Sequence, residues 1–290
     1  MKDFPIPVVA AGPIGPGTQA VDGDGFSYVP IPRDVTPFSM PQVPQDADAV
    51  HMAAARNVLA RFVDAMRDPL AAPVELLGLP APVVDILNQT LGEGEVSIRI
   101  AHQNGLRHDL RIQETVFAGV WRERHFDAEG RLLSDLLLAA SIPHPALHFA
   151  EKTSTPVVPA MTIPPGAMNS PALLTEIRSA VSDYRPGRDP HVINLTLLPL
   201  TPDDLAVLDR ALPAGSVAIL SRGFGNCRVS STGIRHLWRV QYFNNMQTLI
   251  LNTLEITRVP DVALAADEDL ADSHERLVEL IDWMGESATA

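Results

Sequence analysis

Leu59, Phe62, Val63 and Met66 recur at the spacing of one helical face, and a second helix is predicted over about residues 83–91. The period then changes. Val96, Ile98 and Ile100 alternate as in a half-buried strand, and a long extended segment is predicted from about Leu110 to Phe126. "DAEG" at 127–130 reads as a hairpin connection into "RLLSDLLLAASIP".

The same order returns further along. Leu174, Ile177, Val181 and Tyr184 share a helix face, and "LTPDDLAVLDRAL" predicts a helix over about 202–212. Thr201 is placed to cap it, with Pro202 at its first position and Asp204 set for a capping box. At an offset of 121 residues, Leu77, Leu79, Leu87, Leu91, Gly94, Val96 and Ile98 meet identical residues: Leu198, Leu200, Leu208, Leu212, Gly215, Val217 and Ile219. At an offset of 117, Trp121, Arg122, Phe126 and Pro143 fall on Trp238, Arg239, Phe243 and Pro260.

So long a period excludes a solenoid and implies two copies of one helix-helix-strand unit. The predicted class is α+β: two tandem similar units, each an antiparallel sheet packed with helices on one face. Residues 51–149 form the first unit and 172–290 the second, with "AEKTSTPVVPAMTIPPGAMNSP" as a linker over about 150–171. The second unit ends in a helix over about 267–284, with Leu270, Leu277, Ile281 and Met284 inward and an acidic face outward. Ahead of both, residues 1–50 read as a proline-rich extended arm anchored by Phe4, Phe26, Tyr28 and Phe38.

Composition narrows the function. A formal charge of −13 and a pI near 5.0 disfavour nucleic acid or anionic lipid as the main partner. No apolar run approaches the roughly 18 residues that span a bilayer, and the N-terminal residues lack a secretory pattern, so the cytoplasm is the expected compartment without membrane insertion. One cysteine closes no intramolecular disulfide and builds no cluster site by itself, so no cofactor is expected.

That cysteine, Cys227, lies in "SRGFGNCRVSS" and falls on Leu110 of the first copy, with Val229 on Ile112. A buried small apolar side chain is therefore expected. Gly223 and Gly225 suggest a bend more than a phosphate loop. His144 and His148 sit four apart but lack a third metal ligand nearby, and His236 is the only histidine offered as a partner to Cys227. Glu114 shares strand parity with Leu110 and Ile112, so it requires either several hydrogen-bond donors or a paired cation, for which Arg122 or Arg239 is the candidate. Trp121 and Trp238 are core candidates or, at a groove, partner anchors.

"GPGTQ", "YVPIPRDVTPF", "LGEGEVSI", "ETVFAGVWR", "INLTLLPLTPDDLAVLD", "SRGFGNCR", "VQYFNNMQTLILNTLEI" and "DSHERLVELI" together resemble the HupH/HyaF family of hydrogenase expression/formation proteins. The resemblance implies a non-enzymatic maturation chaperone for the iron-sulfur small subunit of a nickel-iron uptake hydrogenase. It implies the small-subunit precursor and a thioredoxin-like HyaE/HupG-type protein as partners. Glu114, Trp121, Gly223, Gly225, Asn226 and Cys227 carry over as motif positions without an assigned role, and Trp238 joins them as the twin of Trp121. Two alternatives remain: participation in cluster delivery or redox chemistry through Cys227, and a thiol enzyme uniting Cys227, His236 and Glu114.

Overall fold

In a computed structural model of the chain, residues 47–68, 71–100, 109–222 and 226–287 are described. All but the last four residues of the expected arm lie outside them, as do Gly223 and Gly225.

The first copy contributes α1 (Ala49–Met66), β1 (Val74–Glu75), α2 (Ala81–Leu91), β2 (Val96–Ile100), β3 (Asp109–Glu114), β4 (Val120–Phe126) and β5 (Leu132–Ala139). Then follow α3 (His144–Lys152), α4 (Ser170–Asp183), β6 (His191–Asn194), α5 (Pro202–Ala211), β7 (Ala214–Ser221), β8 (Asn226–Thr232), β9 (Leu237–Phe243), β10 (Leu249–Ile256) and α6 (Asp267–Ser287). The mixed α+β class matches the sequence reading. One strand prediction fails: the segment from Leu110 to Phe126 is a hairpin, not one long run. Its turn is set by Thr115, whose hydroxyl donates to the Phe117 carbonyl and accepts from the Phe117 N–H, and by Gly119 at φ +73.

The strands of the two copies do not form separate sheets. All ten belong to one antiparallel sheet in the order β1-β5-β4-β3-β2-β7-β8-β9-β10-β6. The seam is β2 against β7, where Val96 faces Ser221, Ile98 faces Ile219 and Ile100 faces Val217. Val96 and Ile98 are the counterparts of Val217 and Ile219, so exchanging the copies maps this register onto itself. A local two-fold axis passes through the Ile98–Ile219 pair.

Smaller features repeat about that axis. The Thr115 turn recurs at Thr232, whose hydroxyl binds the carbonyl and N–H of Ile234. Trp121 Nε1 donates to the Ala140 carbonyl, and Trp238 Nε1 to that of Arg258. Gly94 and Gly215 stay glycine for a shared reason: a Cβ would lie 2.1 Å from the Thr115 carbonyl oxygen or 2.7 Å from that of Thr232.

Helices cover both faces. On one, α3 sets Ala146 and Ala150 over the seam, against Ile98, Ile112, Ile219, Val229 and both tryptophans. On the other, α1, α2 and α6 enclose Val74, Val120 and Leu137 at one end, while α4 and α5 enclose Ile193, Leu237 and Leu254 at the other. Thus α6, which follows the second copy in sequence, returns to pack on α1 through Leu277, Ile281 and Met284. The predicted capping box forms at α5, and Asp204 also accepts from the N–H groups of Asn169 and Ser170 at the start of α4. Burial opposes its charge, but those N–H donors and that of Thr201 outweigh it and hold the carboxyl at about 2. None of the described helices is long and apolar enough to cross a membrane.

Candidate functional site

Cross-strand pairing carries several predicted residues into one transverse row beneath α3. Trp121 pairs with Glu114, and Val96 with Ser221; Ser221 pairs with Cys227, and Cys227 with Tyr242. Residues facing each other across strands share a sheet face. Glu114 and Cys227 therefore look the same way, but three strand spacings, roughly 14 Å, separate them.

Cys227 is fully buried among Val229, Val240 and Ile219, as its alignment with Leu110 predicts. Burial pushes its thiol up to about 11, against a hydrogen bond with Tyr242 and with reinforcement from Glu255. A thiol so placed is a poor nucleophile and a poor ligand. Arg228, next in sequence, pairs with Leu220 and Gln241 and leaves the opposite face, where its guanidinium lies 5.4 Å from the Phe243 ring.

His236 does not approach Cys227. It occupies the turn before β9, at φ +61, and stacks on Tyr184 with centroids 4.2 Å apart, while Cys227 lies towards the far end of the β8–β9 hairpin. The three members of the hypothetical thiol site are therefore dispersed. His144 and His148 stack ring on ring at the start of α3, and no group of three metal-binding side chains forms among the described residues.

Glu114 is buried on the expected face, but its cation is not. Arg122 follows Trp121, the cross-strand partner of Glu114, so strand alternation sends it to the other face. The Glu114 carboxylate instead accepts the Gly119 N–H at 2.9 Å. Burial raises its pKa to about 7, and Glu95 and Asp269 push the same way. Trp121 and Trp238 are 1% and 2% exposed, so both belong to the core. Asn226 opens β8 opposite Phe243, partly exposed.

Arg122 has its own buried site. It donates through Nε and Nη2 to the two carboxylate oxygens of Asp135, at 2.7 and 2.5 Å, and also to Asn88 Oδ1 on α2. Its twin Arg239 donates to Asn252 at 3.1 Å and to Asp209 on α5 at 3.2 Å. Asn252 is the counterpart of Asp135, and Asp209 of Asn88. Each arginine thus holds one carboxylate and one amide, with the two exchanged between copies.

Sequence reading missed a second group on this face. Arg99 pairs with Arg111, and Arg111 with Arg124, so three arginines cross three adjacent strands in line. The signal was present in the alternation of Arg99 with Ile98 and Ile100, but it becomes a stripe only once β2, β3 and β4 are in register.

The family model for the HupH hydrogenase expression protein, C-terminal conserved region, matches residues 52–155 and again 167–284, so it falls separately on each copy. The chain is 42% identical to the hydrogenase expression/formation protein HoxQ of Cupriavidus necator, over 98% of this chain and 99% of that one. It is 45% identical to HupH of Rhizobium leguminosarum bv. viciae over 68% of each chain. It is 36% identical to the hydrogenase-1 operon protein HyaF of Escherichia coli K12, over 95% of this chain and 96% of that one. Matches of this extent, across both copies and along nearly the full length, establish that the chain belongs to the HupH/HyaF family of hydrogenase expression/formation proteins.

Proposed function

We propose that this protein is a non-enzymatic assembly chaperone for the iron-sulfur small subunit of a nickel-iron uptake hydrogenase. It acts in the cytoplasm beside a thioredoxin-like accessory protein of the HyaE/HupG type. Family membership supports the coarser role, hydrogenase maturation.

The observation that carries the finer reading is the burial of Cys227. The chain's only thiol lies in the core with its pKa pushed up to about 11, so a transient thiolate ligand would require opening the sheet beneath α3. What the fold presents instead is a duplicated sheet frame with an exposed strip between its two helical packs, suited to holding another polypeptide.

The test has two arms. Tagged small-subunit precursor, recovered gently from cells that also make this protein, should carry it along, and cells with Cys227→Ala should still mature active hydrogenase. Failure to recover it with the precursor would remove the chaperone reading. Loss of maturation in a folded Cys227→Ala variant would replace that reading with cluster chemistry at the thiol.

A further inference from the structure

The arginine stripe has features of a binding surface. Directly opposed like charges destabilise a sheet, yet Arg99, Arg111 and Arg124 stand in consecutive ladder positions in a chain of net charge −13. Neutralisation among the described residues is partial. Arg111 Nε donates to Asp109 at 2.7 Å, and its guanidinium lies 4.5 Å from the Phe126 ring. Neither Arg99 nor Arg124 forms an ion pair with a described residue; Asp109 acts on the first, and Asp135 and Glu93 on the second, only at longer range. Burial lowers the pKa of both, and neighbouring arginines add to the effect.

The second copy is an internal control. Arg99, Arg111 and Arg124 correspond to Leu220, Arg228 and Gln241. The Arg111–Phe126 contact recurs as Arg228–Phe243 and so belongs to the shared frame. Arg99 and Arg124 have no counterparts, and they concentrate positive charge on the first half of this face. The stripe runs between the helical pack of α1 and α2 and that of α4 and α5. Arg111 is 54% exposed, and Arg99 and Arg124 are partly so.

We propose that this stripe docks an acidic, extended polypeptide segment of a partner, whose carboxylates are taken by Arg99, Arg111 and Arg124. Guanidinium forks match carboxylates in bidentate geometry. Same-side carboxylates of an extended peptide repeat every ~7 Å, and the stripe crosses two strand spacings of ~4.8 Å, so it accommodates two such groups. A long polyanion is disfavoured because it would run beyond the stripe onto a predominantly acidic protein. The proposal rests on the assembly-factor reading and specifies one contact by which the client is held.

The probe is a fluorescein-labelled peptide of about eight residues alternating Glu and Ser, titrated with the full chain by fluorescence anisotropy. Binding is expected, with affinity reduced about tenfold or more in Arg99→Gln/Arg124→Gln and again on raising salt from about 50 to about 500 mM. A variant at the exposed Arg188 should bind as the parent does. The double variant should unfold at the same temperature as the parent or slightly higher, because opposed like charges have been removed. Equal binding of a Lys-Ser peptide, stronger binding of single-stranded DNA, or indifference to the double substitution would each overturn the proposal. Recovery of the hydrogenase precursor at parental yield by a folded Arg99→Gln/Arg124→Gln variant would also overturn it, while leaving the chaperone reading in place.

Discussion

The exchange of Asp and Asn between the copies makes a quantitative prediction. Arg122 and Asp135 are 9% and 4% exposed and joined by two hydrogen bonds, whereas Arg239 and Asp209 are 15% and 28% exposed and joined by one. Asp135→Asn retains the volume and one acceptor but leaves the Arg122 charge between two neutral amides. Removing one partner of a buried pair costs ~3–5 kcal/mol, and the retained amide oxygen reduces this to about 2–3 kcal/mol. Asn88→Asp alone crowds two carboxylates around one guanidinium and costs about 1–2 kcal/mol. Combined, the substitutions recreate the second copy's arrangement, and the double variant should return to within about 1 kcal/mol of the parent. Urea unfolding near neutral pH, followed by fluorescence of the buried Trp121 and Trp238, measures all three. If the double variant shows the sum of the single losses, the two sites are not interchangeable and the reasoning fails.

Two further predictions concern the Glu114 turn. The folded pKa of Glu114, about 7, lies above the ordinary carboxylate value of 4.5, so the native state retains a proton that the unfolded chain releases. Stability from this group is therefore complete at low pH and falls as pH rises from about 4.5 to about 7; Glu114→Gln, which still accepts from Gly119, should abolish the fall and gain at most ~3 kcal/mol at high pH. Denaturant midpoints above and below that window check it, and an unchanged pH slope in the variant would reject it. Gly119→Ala combines a positive φ with a Cβ 2.3 Å from Leu270 Cδ2, so a loss of about 2–4 kcal/mol is expected, partly recovered by Leu270→Ala. Thermal unfolding of the single and double variants tests this, and no recovery would place the whole cost in the backbone.

Five of the six described α-helices were legible because their apolar spacing or capping is local, whereas α3, nine residues opening on His144 and Pro145, was not. The environment of Cys227 was legible because a second copy supplied Leu110 for comparison. Other features depend on pairings that no local pattern encodes. "VFAGVW" is apolar throughout, so the turn it contains is hidden until the hydroxyl of the preceding Thr115 and the positive φ of Gly119 are seen. That turn resets strand parity, which is why Arg122 was assigned to Glu114 when it belongs on the opposite face. Strands β1 and β6, two and four residues long, are too short to show a period. The β2–β7 seam joins two ordinary apolar strands, and only their register reveals the axis.

A frame built twice separates structural from functional constraint within one molecule. Features required by the sheet are doubled: the glycines beneath the Thr115 and Thr232 carbonyls, the paired indole donors, the two arginine–aromatic contacts and the charge-balanced sites of Arg122 and Arg239. Those sites show that even their charges can move between positions, provided each copy keeps its own balance. Features outside the frame are single. Glu114 has Ser231 as its counterpart, and Arg99 and Arg124 have Leu220 and Gln241, so neither the buried acid nor the extra positive charge follows from the fold. Both belong to the first copy, on opposite faces of the sheet. An exact two-fold would present two equal surfaces and offer a bound chain no preferred direction; placing the arginines on one side of the axis gives the platform a polarity.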